Sequence, residues 1–275
     1  MCLMPAVTHR LEPLRADELQ RVVHVIRDCG HVSPQVRFVS ISLHEPPKAE
    51  VFAPAPGNVA SREAFVVLFE NSKNACYEAV VSIDDGMLQS WRHVPGVQPN
   101  FTVDEFTECD AMVRTHPDMV AALARRGITD LDLVLVDTWT YGDVVMPDKY
   151  KDRRLGWTDT WVRAAEGANP YAGPVNGFHC VIDMNTMELL EIEDTFTVDR
   201  PEMMGEYVPQ HIPERIRKAS TREPLQPLNI TQPEGVSFTL EGNLLKWQNW
   251  SLRVIGGSAG LAHLSFLFAS APAPG

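Results

Sequence analysis

The sequence predicts an α+β protein with two tandem domains, each built from one helix packed on an antiparallel sheet of about four strands. A segment with helical apolar spacing is followed by segments with strand-like alternation, and this order then occurs a second time. After a proline-rich stretch the alternation resumes, which predicts the first strands of a separate β-sandwich. The predicted bounds are 9–97 and 98–198 for the two domains, 199–235 for an extended linker, 236–254 for the truncated start of the sandwich and 255–275 for an aberrant tail.

The first domain begins with a predicted helix over residues 14–30. Spacing of i, i+3, i+4 and i+7 gives this segment one apolar face, formed by Leu19, Val22, Val23 and Ile26. Gly30 is a plausible residue to end the helix. Strands are expected at 36–43, 64–70, 76–83 and 87–94, with a turn at Asp84-Asp85-Gly86 between the last two.

The second domain repeats this order. Thr102 and Glu105 have the spacing of a capping box, which predicts a helix whose inward residues are Val103, Phe106 and Val113. A second helical segment is expected to open at Pro117, where a missing N–H costs nothing, and to end at Gly127. The expected strands are 133–140, 155–165, 177–184 and 187–194.

Composition excludes several classes of function. The chain has 275 residues and a net charge of -12, whereas a nucleic-acid binder needs a basic surface. No signal peptide is visible and no run of about twenty apolar residues occurs, so we expect neither secretion nor a membrane span. The five cysteines include no CxxC pair, which favours buried free thiols in a reducing compartment and predicts a cytoplasmic protein.

No catalytic or metal-binding constellation is evident in the residues themselves. The nine histidines form no H-x-H or HExxH motif, so we expect no metal site built from this chain alone. His179 and Cys180 are neighbours in a predicted strand, where consecutive side chains point to opposite faces. The cluster of carboxylates at one strand end has two interpretations, a general acid/base pair or, more in keeping with an acidic protein, a solvated face: Glu188, Glu191, Glu193 and Asp194.

Two aromatic-rich loops are candidates for contact with a ligand. One is Trp139-Thr140-Tyr141-Gly142 at a strand end, and the other is the segment NPYAGP at 169–174, whose prolines and glycine favour a rigid turn. Rigid loops that carry aromatic residues commonly line binding sites. Burial of the same aromatics in a seam between domains is the alternative interpretation.

The order of several segments resembles the copper-containing, topaquinone-dependent primary-amine oxidases, with a match over about residues 9–254. The most specific pieces are GVQPNFT at 96–102, KDRRLGW at 151–157, NPYA at 169–172, and the segments 184–194, 209–212 and 230–238. The resemblance implies two small cystatin-like domains, termed N2 and N3, before a catalytic β-sandwich. It also implies oxidation of a primary amine to an aldehyde, with release of ammonia and reduction of O₂ to hydrogen peroxide.

The sequence departs from this family where the resemblance places the redox centre. That centre uses a topaquinone made from the tyrosine of an Asn-Tyr-Asp/Glu motif, and a copper held by three histidines, two of them in H-x-H. None of the five tyrosines here follows an asparagine, and H-x-H is absent. We therefore expect an N-terminal fragment, inactive alone, with no catalytic residue and no cofactor of its own.

The resemblance also implies roles and partners. Phe106, Trp139 and Tyr171 occupy positions that line the channel for the amine substrate, while the family-length protein is a homodimer. The alternative is a stand-alone, non-catalytic binding module of two cystatin-like domains. A further alternative is that a second chain supplies the missing sandwich.

Overall fold

The computed structural model describes residues 9–52, 62–142, 146–198, 205–219, 225–256 and 262–267. The chain divides into two compact units. The first comprises Met1–Glu70, Ala75–Val97 and Pro227–Gly275, and the second comprises Asn71–Asn74 and Gln98–Gln226. Across these described ranges, no helix has both the length and the apolar character that crossing a bilayer requires.

The first unit contains the predicted helix and four-stranded antiparallel sheet. Its elements are α1 (Ala16–Asp28), β1 (Arg37–His44), α2 (Lys48–Phe52), β2 (Glu63–Glu70), β3 (Ala75–Ser82) and β4 (Met87–Val94). The strands pair in the order β1-β2-β3-β4, and the predicted turn joins β3 to β4 with Gly86 at a φ of +64°. Helix α2 was not predicted, because five residues within a proline-rich stretch carry no helical period.

Helix α1 packs on this sheet through a face that differs in part from the predicted one. Val22 and Ile26 are fully buried against the strands, as expected. Leu19 and Val23 are only half-buried, and the buried face instead includes the charged residue Glu18. A carboxylate is tolerated there because it is paired inside the protein, which the apolar pattern alone does not reveal.

The second unit has the same plan with one additional helix. Its elements are α3 (Val103–Thr115), α4 (Pro117–Arg125), β5 (Val134–Thr140), β6 (Leu155–Val162), β7 (Pro174–Asp183) and β8 (Glu188–Asp194), with the strands in the order β5-β6-β7-β8. The predicted capping box is confirmed, since the Thr102 side chain accepts from the Glu105 N–H and the Glu105 carboxylate accepts from the Thr102 N–H. Pro117 opens α4, as predicted.

The inward face predicted for α3 is wrong at two of its three positions. Val113 is buried, but Val103 is 76% exposed and Phe106 is 41% exposed. The buried positions are Glu105, Cys109 and Val113, spaced by four residues along one side of the helix. The apolar pattern predicted Val103 and Phe106 as inward. The residue that points inward in the first turn of α3 is instead the capping Glu105.

The described residues after the second domain include one short helix and a third sheet. Helix α5 (Glu214–Ala219) lies within the predicted linker. A third antiparallel sheet follows in the order β12-β11-β10-β9, formed by β9 (Thr239–Glu241), β10 (Leu244–Trp247), β11 (Trp250–Gly256) and β12 (Ala262–Leu267). Strand β12 and the end of β11 fall within the predicted tail, part of which lies outside the described residues.

Candidate functional site

The sheet of the second unit has one face covered by helix and one face on which polar side chains form a continuous row. Cross-strand pairing joins Asp137 on β5 to Asp159 on β6, Asp159 to His179 on β7, and His179 to Glu193 on β8. These four residues are called the carboxylate row. Because side chains alternate between faces along a strand, all four lie opposite to the buried residues Val136, Thr158 and Cys180 on the helix-covered face.

Contacts with an aromatic ring and a neighbouring carboxylate hold His179 and Glu193 at one end of the carboxylate row. The His179 ring stacks on Trp157 with the ring centroids 4.0 Å apart, and its Nδ1 lies 3.3 Å from the nearer carboxylate oxygen of Asp159. The Trp157 indole N–H donates to Glu193 at 3.4 Å. The imidazole and indole therefore engage two of the three carboxylates.

The other end of the row is formed by Asp137, whose carboxylate interacts with two aromatic residues. Side-chain hydrogen bonding by Tyr171 and Trp139 favours the charged form of Asp137, but burial, aided by repulsion from Asp159, is the larger effect and raises the pKa of this carboxyl above its usual value. Burial and the nearby Asp137 also raise the pKa of the Tyr171 hydroxyl. Asp137 is thus a partly desolvated carboxylate with aromatic neighbours.

Local sequence explains why Tyr171 is held firmly. The segment Pro170–Ala172 forms a 3₁₀ turn in which the Asn169 side chain accepts from the Tyr171 N–H at 3.1 Å. Gly173 closes the turn, and its carbonyl accepts from the Val162 N–H at 2.8 Å, which ties the turn to β6. The Tyr171 ring meets Trp161 edge to face at 5.1 Å.

The structure brings together two of the three residues expected to line a channel. Trp139 is 57% exposed and Tyr171 is 51% exposed, and both interact with Asp137. Phe106 lies on α3 and contacts Phe101 edge to face at 5.9 Å. Sequence reasoning missed Asp137, although strand alternation places it two residues before Trp139 and hence on the same face.

Two of the four carboxylates clustered on β8, Glu191 and Asp194, form ion pairs. Glu191 accepts from the Tyr150 hydroxyl at 2.6 Å and from Lys149 at 2.5 Å, and the Lys149 bond is the main reason that the pKa of Glu191 is lowered. Asp194 pairs with Arg126. The lowered pKa favours the charged form of Glu191, which fits the interpretation as a polar face.

The cysteines of the second unit are buried and poorly suited to be nucleophiles. Burial raises the pKa of Cys109 to about 11 and that of Cys180 to about 12. His179 and Cys180 lie on opposite faces, since His179 contacts Asp159 while the Cys180 sulfur lies 3.7 Å from that of Met119 in the core. Within the described ranges, four cysteines are resolved and none forms a disulfide: Cys29, Cys76, Cys109 and Cys180.

The described residues do not fit the copper site that the resemblance implies. Such a site needs three convergent imidazoles. Throughout the part of the chain that the structure describes, no three histidine, cysteine, aspartate or glutamate side chains converge in a way that could hold a metal ion. The carboxylate row has a single histidine, and its ring is stacked on Trp157.

Comparison with known proteins identifies related sequences over both units. A family model described as the AGAO-like N2 domain matches residues 15–91, and one described as the copper amine oxidase N3 domain matches residues 104–207. Together the two matched ranges cover about two thirds of the chain.

Individual relatives and a solved structure agree with these matches. A primary amine oxidase of Arthrobacter sp. (strain P1) is 37% identical over 249 residues, covering 90% of this chain and 37% of the relative. A copper-containing diamine oxidase 1, peroxisomal, of Nicotiana tabacum is 30% identical over 285 residues, covering 90% of this chain and 36% of the relative. The crystal structure of a copper-containing benzylamine oxidase from Hansenula polymorpha shares the fold with a TM-score of 0.70 at 23% identity, covering 94% of this chain and 42% of that chain. The chain thus spans a little over a third of the length of these curated relatives.

Proposed function

We propose that this chain, which belongs to the copper amine oxidase family, forms the part of an amine oxidase that receives the primary amine and guides it toward the redox centre. In the family-length protein the reaction oxidises a primary amine to an aldehyde, with release of ammonia and reduction of O₂ to hydrogen peroxide. The relatives compared above carry the names of amine oxidases, among them the primary amine oxidase of Arthrobacter sp. (strain P1). The role of this chain is binding and orientation, for which the second unit carries the relevant side chains.

The observation that carries the proposal is the open face around Asp137. Trp139 and Tyr171 expose about half of their surface on it, although large aromatic side chains are normally more buried. An alkylammonium ion is attracted to the π face of an aromatic ring, and its apolar chain is desolvated by the same surface. A carboxylate beside both rings adds an opposite charge, so this face suits a primary amine better than a neutral or anionic ligand.

Phe106 is proposed as a third wall residue, on the helical side of the second unit. Its 41% exposure leaves an apolar ring in contact with solvent, and the edge-to-face contact with Phe101 fixes its orientation. Helix α3 covers the face of the sheet opposite to Asp137 and Trp139, so contact of Phe106 with the hydrocarbon part of a substrate stays a prediction. Among the described contacts, Asp137 interacts with Trp139 and Tyr171 but not with Phe106. We therefore propose only an apolar contact for Phe106.

The redox centre is proposed to be absent from these 275 residues. The sequence has neither H-x-H nor a tyrosine preceded by asparagine, and its described histidines do not converge. Copper and topaquinone would supply oxidation of the bound amine in the family-length protein, and no step of that oxidation is assigned to residues of this chain. The homodimeric state of the family-length protein and the cytoplasmic location stay predictions.

Binding of an amine to the isolated chain tests the proposal. Pentylamine is titrated into the protein while indole and phenol resonances are followed by NMR, with pentanol as the neutral isostere. We expect saturable shifts at Trp139 and Tyr171 with pentylamine only, and weaker binding in Trp139→Ala and Tyr171→Ala. Trp247→Ala is the matched control, because Trp247 is also exposed but lies in the third sheet. Equal shifts with pentanol, or no shift at either residue, would refute the proposed role.

A further inference from the structure

We propose that the third sheet docks against the same sheet of a second copy of this chain, so that two copies build one β-sandwich between them. The surface that each copy contributes is one face of β9, β10 and β11, which belong to the first unit. This inference is independent of the proposed amine-binding role, whose residues lie in the second unit.

Cross-strand pairing gathers apolar side chains on one face of the third sheet. Leu240 on β9 pairs with Leu245 on β10, and Leu245 pairs with Leu252 on β11. At the end of the β10–β11 hairpin, Trp247 pairs with Trp250. Since positions two apart along a strand share a face, six side chains form what is called the apolar face: Leu240, Leu245, Trp247, Trp250, Leu252 and Val254.

The opposite face of these strands is mainly polar, and part of it is engaged within the first unit. Arg253 donates to the Asn243 side chain at 2.8 Å and lies 3.6 Å from the carboxylate of Glu12. Strand alternation therefore turns the apolar face away from this contact. The members of the opposite face follow from the same register: Thr239, Glu241, Leu244, Lys246, Ser251 and Arg253.

The apolar face is accessible to solvent over an area that suits a weak dimer. Leu240 is 58% exposed, Trp247 is 45% exposed and Trp250 is 37% exposed. Val236 and Phe238 precede Leu240 at the same spacing of two and are also exposed. Together these side chains expose on the order of 500 Å² of apolar surface, so two copies bury roughly 1,000 Å², the lower bound for a specific interface. We therefore expect a reversible dimer with a dissociation constant in the micromolar range.

Charge favours a second copy as the occupant of the apolar face. The chain carries a net charge of -12, which opposes association wherever the carboxylates of two copies meet. The apolar face has no ionisable side chain, because Glu241 and Lys246 lie on the opposite face. Two such faces can stack about 10 Å apart, as the sheets of a sandwich do, and a two-fold axis makes each face the complement of the other. A charged partner gains no electrostatic attraction there.

Sedimentation equilibrium of the 275-residue protein over a wide range of concentrations measures the association. We expect a monomer–dimer equilibrium that shifts toward the dimer as salt is added, because salt screens the repulsion between two acidic copies. Leu240→Glu should weaken dimerisation at least about tenfold, since each copy then buries a carboxylate in an apolar interface. Thr239→Glu is the matched control, because it adds the same charge to the neighbouring residue of β9 on the opposite face and should leave the dimer intact.

A variant of opposite charge separates burial from net repulsion. Trp247→Arg makes the chain less acidic and should nevertheless weaken the dimer, whereas net repulsion alone predicts a tighter one. Circular dichroism checks that each variant keeps the fold, and Leu240→Glu and Trp247→Arg serve as independent tests. A monomer at every concentration, which leaves the face to a partner of different sequence, overturns this inference. A dimer that survives both substitutions also overturns it, since the contact then lies elsewhere, and neither result bears on amine binding.

Discussion

A buried ion pair of carboxylate and guanidinium recurs at the same place in both units. Glu18 caps the start of α1 by accepting from the Arg15 N–H at 2.8 Å, and its carboxylate lies 3.1 Å from the guanidinium of Arg62. Glu105 caps α3 in the same way and pairs with Arg154. Arg62 immediately precedes β2 and Arg154 immediately precedes β6, so each pair ties the first turn of a helix to the second strand of its sheet.

Removing the arginine from the second pair should strongly destabilise the protein. Arg154→Met leaves Glu105 charged and fully buried, and breaking such a pair costs about 3–5 kcal/mol in the free energy of unfolding. The matched control is Lys218→Met, which breaks an exposed pair with Glu214 on α5 and should cost less than about 0.5 kcal/mol. Urea unfolding followed by circular dichroism measures both, and similar losses in the two variants would contradict the role of the buried pair.

The charged carboxylate of Asp137 should lower the free energy of unfolding of the protein without a bound amine. Because its pKa is raised in the folded state, the proton binds more tightly there than in the unfolded chain, and ionisation disfavours folding. Asp137→Asn should therefore unfold at a higher urea concentration than the native protein at pH 7, by at most about 1 kcal/mol because the group is partly solvated. The advantage should disappear as the pH falls through the raised pKa and then below the ordinary value of 3.8. A variant that is less stable than the native protein at pH 7 would show that Asp137 serves the fold instead.

At the scale of elements, the turn that carries Tyr171 depends on one glycine. Gly173 donates to the Pro170 carbonyl at 3.0 Å and accepts from Val162 at 2.8 Å, and a Cβ at this position would overlap the backbone oxygen of Val162. Backbone atoms of a paired strand cannot move aside without breaking that pairing. The turn and β6 are consequently locked together, which fixes Tyr171 relative to Trp161.

Substituting Gly173 should lower the stability of the protein more than substituting a glycine whose added Cβ would meet mainly side chains. We expect Gly173→Ala to lower the melting temperature more than Gly156→Ala, whose new methyl group meets the side chains of Met184 and Thr138 and should cost about 1–3 kcal/mol. Gly173→Ala should also weaken pentylamine binding, because it displaces Tyr171. Differential scanning calorimetry of the two variants checks the order, and a larger effect of Gly156→Ala would contradict it.

Helices, strands and turns were predicted well where they depend on neighbouring residues in the sequence. The strands and turns follow from alternation and from residues such as Gly86, and the start of α3 follows from the spacing of Thr102 and Glu105. The buried helix faces were predicted poorly, because Glu18 and Glu105 are buried only through arginines that lie 44 and 49 residues away. No window of local sequence contains such a pairing.

The residues of the candidate site could be predicted only in part from the sequence. The aromatic-rich loops predicted Trp139 and Tyr171 as candidates, and alternation along β5 places Asp137 on the same face as Trp139. The convergence of these residues could not be predicted, because it depends on the register of β5 with β6 and on the turn that Gly173 closes. Phe106 was placed inward by the apolar pattern and is instead partly exposed.

At the scale of the whole molecule, each unit has its own apolar core and its own helix-covered sheet, and the third sheet belongs to the first unit. The cores form around Val66 and Leu68 in the first unit and around Phe178 and Ile182 in the second. Several apolar side chains between the second domain and the third sheet remain largely exposed, among them Leu225, Leu228 and Ile230. A stand-alone binding module is expected to avoid such exposure, since apolar surface of this kind favours association, so these residues count against that alternative.

The central claim is that this chain receives the amine but does not oxidise it. The most direct test titrates pentylamine into the copper-supplemented 275-residue protein under air, while tryptophan fluorescence and peroxide release are followed in the same sample. We predict a saturable change in fluorescence without peroxide. Peroxide released in proportion to the amine consumed, or fluorescence that does not respond to the amine, would contradict the account.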